Sequence, residues 1–476
     1  MQNFLDTLLK VVQTVNSYVA DYILVVLLIG TGVFFTFKTR FVQVRCFGEG
    51  MKRVFGNLSL KGGKQHGGLS SFQALATAIA AQVGTGNIVG ACGAILIGGP
   101  GAIFWMWVIA FFGMATIYAE AVLAQKTREV DDEGNAVGGP VYYIKKAFKG
   151  TFGKFLSGFF AVAIVLALGF MGCMVQSNSI GEAVNTATGV APWIVGIFVV
   201  VISAAIFLGG VNRIASVTEK LVPIMAVLYI LGGLIIIALR IKYIPETFVL
   251  IFKYAFKPTA IIGGGLGYAL KTAVSQGAKR GLFSNEAGMG STPHAHALAK
   301  VDKPHDQGCV AMIGVFIDTL VVLTMTALIV ISCLYAGNGP LSQLGAVEGS
   351  GIAKTNMVQS AVAVALKAFM SDSIATNIGA YFVAICLLFF AFSTIVGWNL
   401  FGKINFQYLF GKKAVVVYTV IALVFIFLGS CLQNDLVWEL TDFFNYLMVI
   451  PNVIALIALN KLVVDEAKSA RRLKKK

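Results

Sequence analysis

Long apolar runs dominate the pattern of this chain, and short polar stretches separate them. A helix needs about 20 apolar residues to cross roughly 30 Å of hydrocarbon, and the pattern predicts about eleven such helices. No soluble domain of any size fits between them. The predicted spans are residues 20–37, 70–98, 101–125, 155–178, 192–210, 216–239, 261–292, 309–336, 378–400, 413–432 and 438–460.

Two of these spans are interrupted by glycine and polar residues. The second span is interrupted at Gly84 and Gly86, and the seventh span at Gly277 and Gly281. The two lie five spans apart, so they cross the membrane in opposite directions. Interrupted helices at matching places in oppositely oriented halves are typical of inverted-repeat transporters.

The pattern therefore predicts an all-α polytopic membrane protein with a five-plus-five inverted repeat. Residues 1–68 form an extra N-terminal helix and a basic cytoplasmic loop. The first repeat covers 69–240, the second covers 241–460, and a basic cytoplasmic tail covers 461–476. The first helix of each repeat is the interrupted one.

Composition and charge agree with this class. The chain is 57% hydrophobic and 12% charged, too few charges to cover a soluble surface. The net charge of +15 does not indicate nucleic-acid binding, because Lys and Arg favour alternate loops by roughly four to one, as cytoplasmic loops do. This predicts a multi-pass protein of the cell (inner) membrane, surrounded by lipid, with its N-terminus outside and its C-terminus in the cytoplasm. The N-terminal segment does not resemble a cleaved signal peptide.

The glycine-rich stretch "QVGTGNIVG" (82–90) has three possible interpretations. A phosphate-binding loop needs a preceding strand and a water-accessible helix start, which this apolar context does not offer. Close helix packing explains the glycines but not the clustered polar side chains of Gln82, Thr85 and Asn87. A broken helix lining a cavity explains both, since polar groups in hydrocarbon are costly elsewhere.

Other polar residues give weaker signals. Asp318 is an intramembrane carboxylate that could relay a proton, bind a cation, or pair with Arg280, Lys279 or Lys271. Glu120 is expected to be structural. The seven cysteines form no CxxC pair, so neither a disulfide scaffold nor a zinc site is supported.

Histidines also fail to indicate a catalytic or metal centre. His294 and His296 are two residues apart, and such residues do not face each other on a helix. No third ligand is evident, and no nucleophile with a base is recognisable. An enzyme is therefore not expected.

Three motifs together resemble the alanine or glycine:cation symporter family: "QVGTGNIVG" (82–90), "SNEAGMGS" (284–291) and "FSTIVGWN" (392–399). The resemblance covers nearly the whole chain. It implies a fold similar to the leucine-transporter class and a sodium-coupled amino-acid site.

The resemblance further implies a sodium ion, co-transported, between the second and ninth spans. Its ligands would be the carbonyls of Ala80, Val83 and Phe390 and the hydroxyls of Ser393 and Thr394. Oxygen ligands suit a hard cation, although the two hydroxyls could instead bond back to their own helix.

An amino-acid site is expected beside this ion. Amides around Gly84–Gly86 at the positive end of a half-helix would meet the carboxylate, and free carbonyls near Ser275–Gly277 would meet the ammonium. Trp398 would form a wall of the side-chain pocket or simply pack. The predicted substrate-binding residues are Gln82, Gly84, Thr85, Gly86, Asn87, Gln176, Ser275, Gln276, Gly277 and Trp398.

The predicted function is sodium-coupled symport of small neutral amino acids, alanine and glycine with glutamine as a further candidate, by alternating access. The alternative is a proton-coupled amino-acid transporter with Asp318 as the relay. An ion channel would need a continuous pore without occlusion. The pattern specifies no oligomeric state.

Overall fold

The computed structural model of the protein describes residues 2–56, 69–130, 136–257, 266–343, 350–432 and 434–473. This part is nearly all helical, at 85%. Two short strands, β1 (Glu129–Val130) and β2 (Ala136–Val137), pair antiparallel. Three predicted features fall partly outside the described residues: the basic loop at 57–68, the first residues, 261–265, of the seventh span, and the last residues, 474–476, of the basic tail.

The helices are given in chain order. They are α1 (Gln2–Tyr18, continued by a π-helical turn Val19–Leu24 into Val25–Lys38), α2 (Val42–Arg45), α3 (Phe47–Phe55), α4 (Ser71–Gln82), α5 (Gly86–Gly98), α6 (Ala102–Thr127), α7 (Pro140–Ala147), α8 (Gly150–Thr188), α9 (Pro192–Phe207), α10 (Gly210–Leu239), α11 (Ile244–Phe256), α12 (Leu266–Asn285), α13 (Pro293–Ala297), α14 (Pro304–Leu334), α15 (Met357–Leu366), α16 (Asp372–Phe410), α17 (Val415–Cys431), α18 (Asn434–Ala458) and α19 (Asn460–Leu473). Short 3-10 turns, Ile241–Tyr243 and Lys412–Ala414, precede α11 and α17.

Seven of the described helices are long and apolar enough to cross a membrane, and the bent pair α4 and α5 makes eight. Helix α9 and the second half of α1 are apolar but shorter. They coincide with two further predicted spans. The protein is thus a multi-pass membrane protein, and the total of eleven spans stays a prediction.

The first interrupted helix breaks where the glycine pattern predicts. Helix α4 begins with a capping box, in which the Ser70 hydroxyl accepts from the Gln73 amide at 3.0 Å. It ends at Gln82 because Val83 adopts an extended conformation (φ −80°, ψ 92°). The chain resumes as helix at Gly86, and α4 and α5 are bent by 46°.

The second interrupted helix breaks at a different place from the one predicted. Helix α12 is continuous through Gly277 and Gly281 and ends at Asn285. The helix is interrupted only by residues 286–292, where Glu286 has φ 58°. The two glycines instead allow close packing: a Cβ at Gly277 would lie 2.5 Å from Trp105 Cβ on α6.

Helices differ in how much of their surface the bundle covers. Only 28% of the most apolar stretch of α10, and likewise of α17, is buried inside the bundle, as at a lipid-facing surface. In contrast, α4, α5 and the segment 284–299 are almost wholly buried. The two interrupted helices therefore lie at the centre of the bundle.

Candidate functional site

Five oxygen atoms from α4 and α16 converge beside the break in the first interrupted helix. Thr394 Oγ1 lies 2.9 Å from Ala80 O, 3.4 Å from Val83 O and 3.1 Å from Phe390 O. Ser393 Oγ lies 3.4 Å from Ala80 O and 2.8 Å from Phe390 O. Each hydroxyl has one proton, which it can donate either to Phe390 O on its own helix or across to Ala80 O on α4. All five residues are buried.

Gly84 brings the chain break next to this oxygen cluster. A Cβ at this position would overlap the Thr394 hydroxyl and lie 3.1 Å from Gln176 Oε1. Any larger residue would therefore displace one wall of the cluster. Gly397 has a similar role in packing, because a Cβ there would lie 3.1 Å from Ala81 Cα on α4.

Polar side chains accept hydrogen bonds from the main-chain amides at the break. The Gly84 amide donates to Asn87 Oδ1 at 2.9 Å, and the Thr85 amide donates to Gln176 Oε1 at 3.2 Å. Asn87 Nδ2 donates in turn to Asp318 Oδ1 at 2.6 Å. Four of these residues were expected at the site from the sequence, and Asp318 joins them through Asn87.

The two helix breaks adjoin each other. Gln82 Nε2 donates to the Asn285 carbonyl at 2.7 Å, so it bridges the end of α4 to the end of α12. A Cβ at Gly86 would lie 3.1 Å from Ser284 Cα and 3.4 Å from Phe283 O. The amide end of α5 and the carbonyl end of α12 therefore lie side by side, which pairs a positive with a negative helix terminus.

The expectation of free carbonyls at Ser275–Gly277 is wrong. These residues lie inside the continuous helix α12, where carbonyls accept intrahelical hydrogen bonds. Gln276 packs near the C-terminal end of α5, where a Cβ at Gly98 would lie 3.2 Å from Gln276 Cβ. Twelve residues of helix separate Gly98 from Gly86, a distance of about 18 Å. The available carbonyls are instead those that end α12.

One interpretation of the sequence paired Asp318 with Arg280. In the structure Arg280 binds Asp442 instead, and Asp318 has other partners. Its Oδ2 accepts from Ser284 Oγ at 2.8 Å and from Thr319 Oγ1 at 2.7 Å, besides the contact from Asn87. An ionised carboxylate can only accept hydrogen bonds, and three donors surround this one. Asp318 thus ties α14 to both helix breaks.

Aromatic side chains and an ion pair lie on the α18 side of the breaks. The Phe283 ring lies 5.6 Å from that of Trp398 and 4.9 Å from that of Trp438. Arg280 binds both carboxylate oxygens of Asp442, at 3.2 and 2.8 Å, and its guanidinium lies 4.8 Å from the Trp438 ring. Sequence reasoning missed Asp442, although an acidic residue inside a predicted span was a usable signal.

A second group of buried polar residues surrounds the segment that follows α12. Glu120 accepts from the amides of Gly288 and Gly290 at 3.1 and 2.9 Å, and from Asn452 Nδ2 at 2.6 Å. Glu120 therefore caps the irregular segment after α12, which agrees with its expected structural role. Trp398 Nε1 donates to Glu286, a residue of the same segment that sequence reasoning also missed.

The histidines of α13 have ordinary hydrogen-bond partners. His296 contacts Gln307 at 2.8 Å, and His294 contacts Asn405 at 2.8 Å. Burial lowers the pKa of His294 to about 4 and the pKa of His296 to about 3. Both rings are accordingly neutral at pH 7.

Two interrupted helices with adjoining ends, at the centre of a bundle of apolar helices, define a multi-pass membrane protein of the leucine-transporter fold. The structure of MhsT in complex with L-phenylalanine shares this fold, with a TM-score of 0.60 and 15% identity over 85% of this chain and 93% of that chain. Residues 5–476 match the sodium:alanine symporter family, and the chain belongs to it. It is a family of transporters and not of enzymes.

Named relatives match this chain over almost its whole length. The sodium/alanine symporter AgcS of Methanococcus maripaludis is 43% identical, over 98% of both chains. The probable sodium/glutamine symporter GlnT of Bacillus subtilis is 38% identical, over 100% of this chain and 92% of its own. The putative sodium/proton-dependent alanine carrier protein YrbD of the same organism is 39% identical, over 98% and 93%.

Proposed function

We propose that this protein couples sodium influx to the uptake of small neutral amino acids, with alanine and glycine as the first candidates and glutamine as a larger one. The observation that carries the proposal is the convergence of five oxygens beside the break between α4 and α5. Relatives named for sodium with alanine, and for sodium with glutamine, support the choice of ion and substrates.

Sodium would bind among the oxygens of Ala80, Val83, Phe390, Ser393 and Thr394. Hard cations favour oxygen ligands, and the two hydroxyls can turn their protons outward to present lone pairs. The ion would then take the place of the hydroxyl protons between the two helices. Sodium is here a transported substrate, so its affinity has to be weak enough for release.

The amino-acid carboxylate would bind at the amide end of α5, around Gly84–Gly86. Helix N-termini carry a positive partial charge that favours anions. Among the described residues, three buried side-chain atoms lack a hydrogen-bond partner close to this end: Gln82 Oε1, Thr85 Oγ1 and Gln176 Nε2. These atoms supply the polar contacts that a bound amino acid needs.

The ammonium would bind at the carbonyl end of α12, near Phe283 and Ser284, with Asp318 as the nearby negative charge. Phe283 and Trp398 would form walls of the pocket that holds the side chain of the amino acid. Their bulk favours a small side chain, because a longer one has to displace a buried ring. Ser275–Gly277 are left out of this site.

Transport would proceed by alternating access around these two sites. We propose the inverted repeat 69–240 and 241–460, with the N-terminus outside, as the framework for that motion. Sodium and amino acid bound together would bias one conformational equilibrium, which is what coupling means thermodynamically. The Arg280–Asp442 pair would close the outer side and the Glu120 cluster the inner side.

The experiment that tests the proposal is uptake of labelled alanine, glycine and glutamine into proteoliposomes, with sodium, potassium and proton gradients imposed separately. Uptake of alanine driven by inward sodium alone is the expected result. Uptake that ignores sodium contradicts the proposal. Ser393→Ala and Thr394→Ala should each weaken sodium dependence. Thr419→Ala is the matched control, since among the described residues the Thr419 hydroxyl donates along its own helix alone, to Val415 O at 2.9 Å.

Proton coupling is the second candidate function, favoured by the burial of Asp318 at the junction of both breaks. It predicts that a proton gradient drives uptake without sodium, and that Asp318→Asn abolishes this drive. Under sodium coupling, Asp318→Asn weakens amino-acid affinity and leaves the sodium requirement in place.

A further inference from the structure

Four side chains with metal-ligating atoms meet outside the candidate transport site, between the N-terminal segment and α14. Cys46 lies between α2 and α3, Glu49 in the first turn of α3, and His305 and Cys309 in the first turns of α14. Their ligand atoms all lie within 4.8 Å of one another. This face of the protein is the one predicted to be cytoplasmic.

The cluster is made of two helical pairs. Cys46 and Glu49 are three residues apart, and His305 and Cys309 are four apart, the two spacings that place side chains on one helix face. Gly50 lets the helices approach, because a Cβ there would lie 2.7 Å from the Cys309 carbonyl. The pairs are separated by more than 250 positions in the sequence, so spacing within a single motif does not reveal them.

The distances suit a tetrahedral metal ion. His305 Nε2 lies 3.4 Å from Cys309 Sγ and 3.5 Å from Glu49 Oε2. Bonds of about 2.0–2.3 Å at tetrahedral angles place neighbouring ligand atoms about 3.5 Å apart. These two edges of the cluster therefore need little rearrangement to bind zinc.

Surrounding groups orient the ligands. The Tyr118 hydroxyl contacts His305 Nδ1 at 2.7 Å, which leaves Nε2 to face the cluster. Arg53 contacts Glu49 at 3.0 Å and Asp306 at 2.8 Å. Outer partners of this kind fix the ring orientation and carboxylate position of metal ligands.

We propose that Cys46, Glu49, His305 and Cys309 bind one zinc-class divalent ion in a structural site. Two thiolates, one imidazole and one carboxylate complete the four-coordinate shell, so no position remains open for catalysis. Binding releases the two thiol protons to water, as thiolate coordination requires. The ion fastens the N-terminal segment to α14, which is also the helix that carries Asp318.

The test uses the full-length protein purified in detergent, stripped with a chelator, and titrated with Zn²⁺ or Co²⁺. We expect one zinc per chain and a thiolate-to-cobalt charge-transfer absorption. Zinc should also protect Cys46 and Cys309 of the unmodified protein from alkylation, as read by peptide mass spectrometry. Cys46→Ser and Cys309→Ser should each remove the cobalt band, whereas Cys333→Ser, a buried cysteine on the same helix, should retain it.

The alkylation measurement keeps the test decisive if a variant fails to fold, because it needs no substitution. Stripped protein that binds no zinc, or cobalt absorption that persists in both serine variants, overturns the proposal. Equal alkylation of Cys46 and Cys309 with and without zinc does so as well.

Discussion

The substitution Gly84→Ala tests the proposed link between the helix break and the cation site. The added Cβ overlaps the Thr394 hydroxyl and lies 3.1 Å from both Thr394 Cβ and Gln176 Oε1. Ordinary carbon contacts begin near 3.4 Å, so both walls have to move by at least a few tenths of an ångström. Thr394 cannot recede freely, because its hydroxyl is held at 2.9 Å from Ala80 O.

The expected cost follows from this overlap. Inserting a methyl group into a well-packed site costs about 1–3 kcal/mol, and the displaced group here is a proposed sodium ligand. If that cost falls on the ion-bound state, apparent sodium affinity drops by about 5- to 150-fold. The alanine affinity at saturating sodium should change less.

The assay is the sodium dependence of labelled alanine uptake in proteoliposomes, with thermal unfolding in detergent measured in parallel. Gly158→Ala is the matched control, since a Cβ there meets nothing within 4 Å. The double variant Gly84→Ala with Thr394→Ala should bind sodium only slightly more weakly than Thr394→Ala alone, because the overlapping hydroxyl is gone and only the two 3.1 Å contacts remain. A Gly84→Ala protein with unchanged sodium affinity refutes the reasoning.

Three further substitutions separate the parts of the site. Asp442→Asn removes the charge partner of Arg280 and should speed substrate release to the outer side, measured as faster exchange of labelled alanine. Gln176→Ala should weaken alanine binding about tenfold through loss of one amide contact and one substrate contact, measured as the half-saturating alanine concentration. Gly277→Val should lower the unfolding temperature without changing sodium dependence, because its Cβ would press on Trp105; a selective loss of alanine affinity would contradict this assignment.

The first helix break could be predicted from sequence because two independent signals coincide there. Glycines alone are compatible with close packing, but Gln82, Thr85 and Asn87 are costly in hydrocarbon unless they face a cavity or partner. In the structure Gln82 and Asn87 each donate a hydrogen bond, and the Thr85 hydroxyl is buried at the break. The adjacent hydroxyls of Ser393 and Thr394 gave the same kind of signal in an otherwise apolar span.

The second break could not be located from the glycines because glycine has two uses in a membrane helix. Gly277 and Gly281 face α6 and allow close packing, and the helix runs through them. The real interruption begins at Glu286, which has a φ of 58°. Glutamate rarely adopts a positive φ, so its presence in the sequence does not indicate a break. A polar residue next to a packing glycine was therefore mistaken for a break.

Ion pairs and metal-ligand clusters depend on which helices adjoin, and a single sequence does not show that. The sequence offered Asp318 three basic partners, Arg280, Lys279 and Lys271, whereas Arg280 binds Asp442, which lies 162 positions away from it. The Cys46–Glu49 pair and the His305–Cys309 pair lie even further apart, at more than 250 positions. Such contacts need the arrangement of helices first, since each partner alone looks like an ordinary helix residue.

The geometry at the first break also suggests how sodium and substrate could be coupled within one short segment. The Val83 carbonyl lies 3.4 Å from Thr394 Oγ1, on the side of the oxygen cluster, whereas the Thr85 amide two residues later donates to Gln176. A cation that draws the Val83 carbonyl inward fixes the Val83–Gly84 peptide plane. Because Gly84 links this peptide to the next one, the Thr85 amide would then be restricted in the orientation that it presents to an amino-acid carboxylate. Each ligand would thus reduce the conformational cost of binding the other.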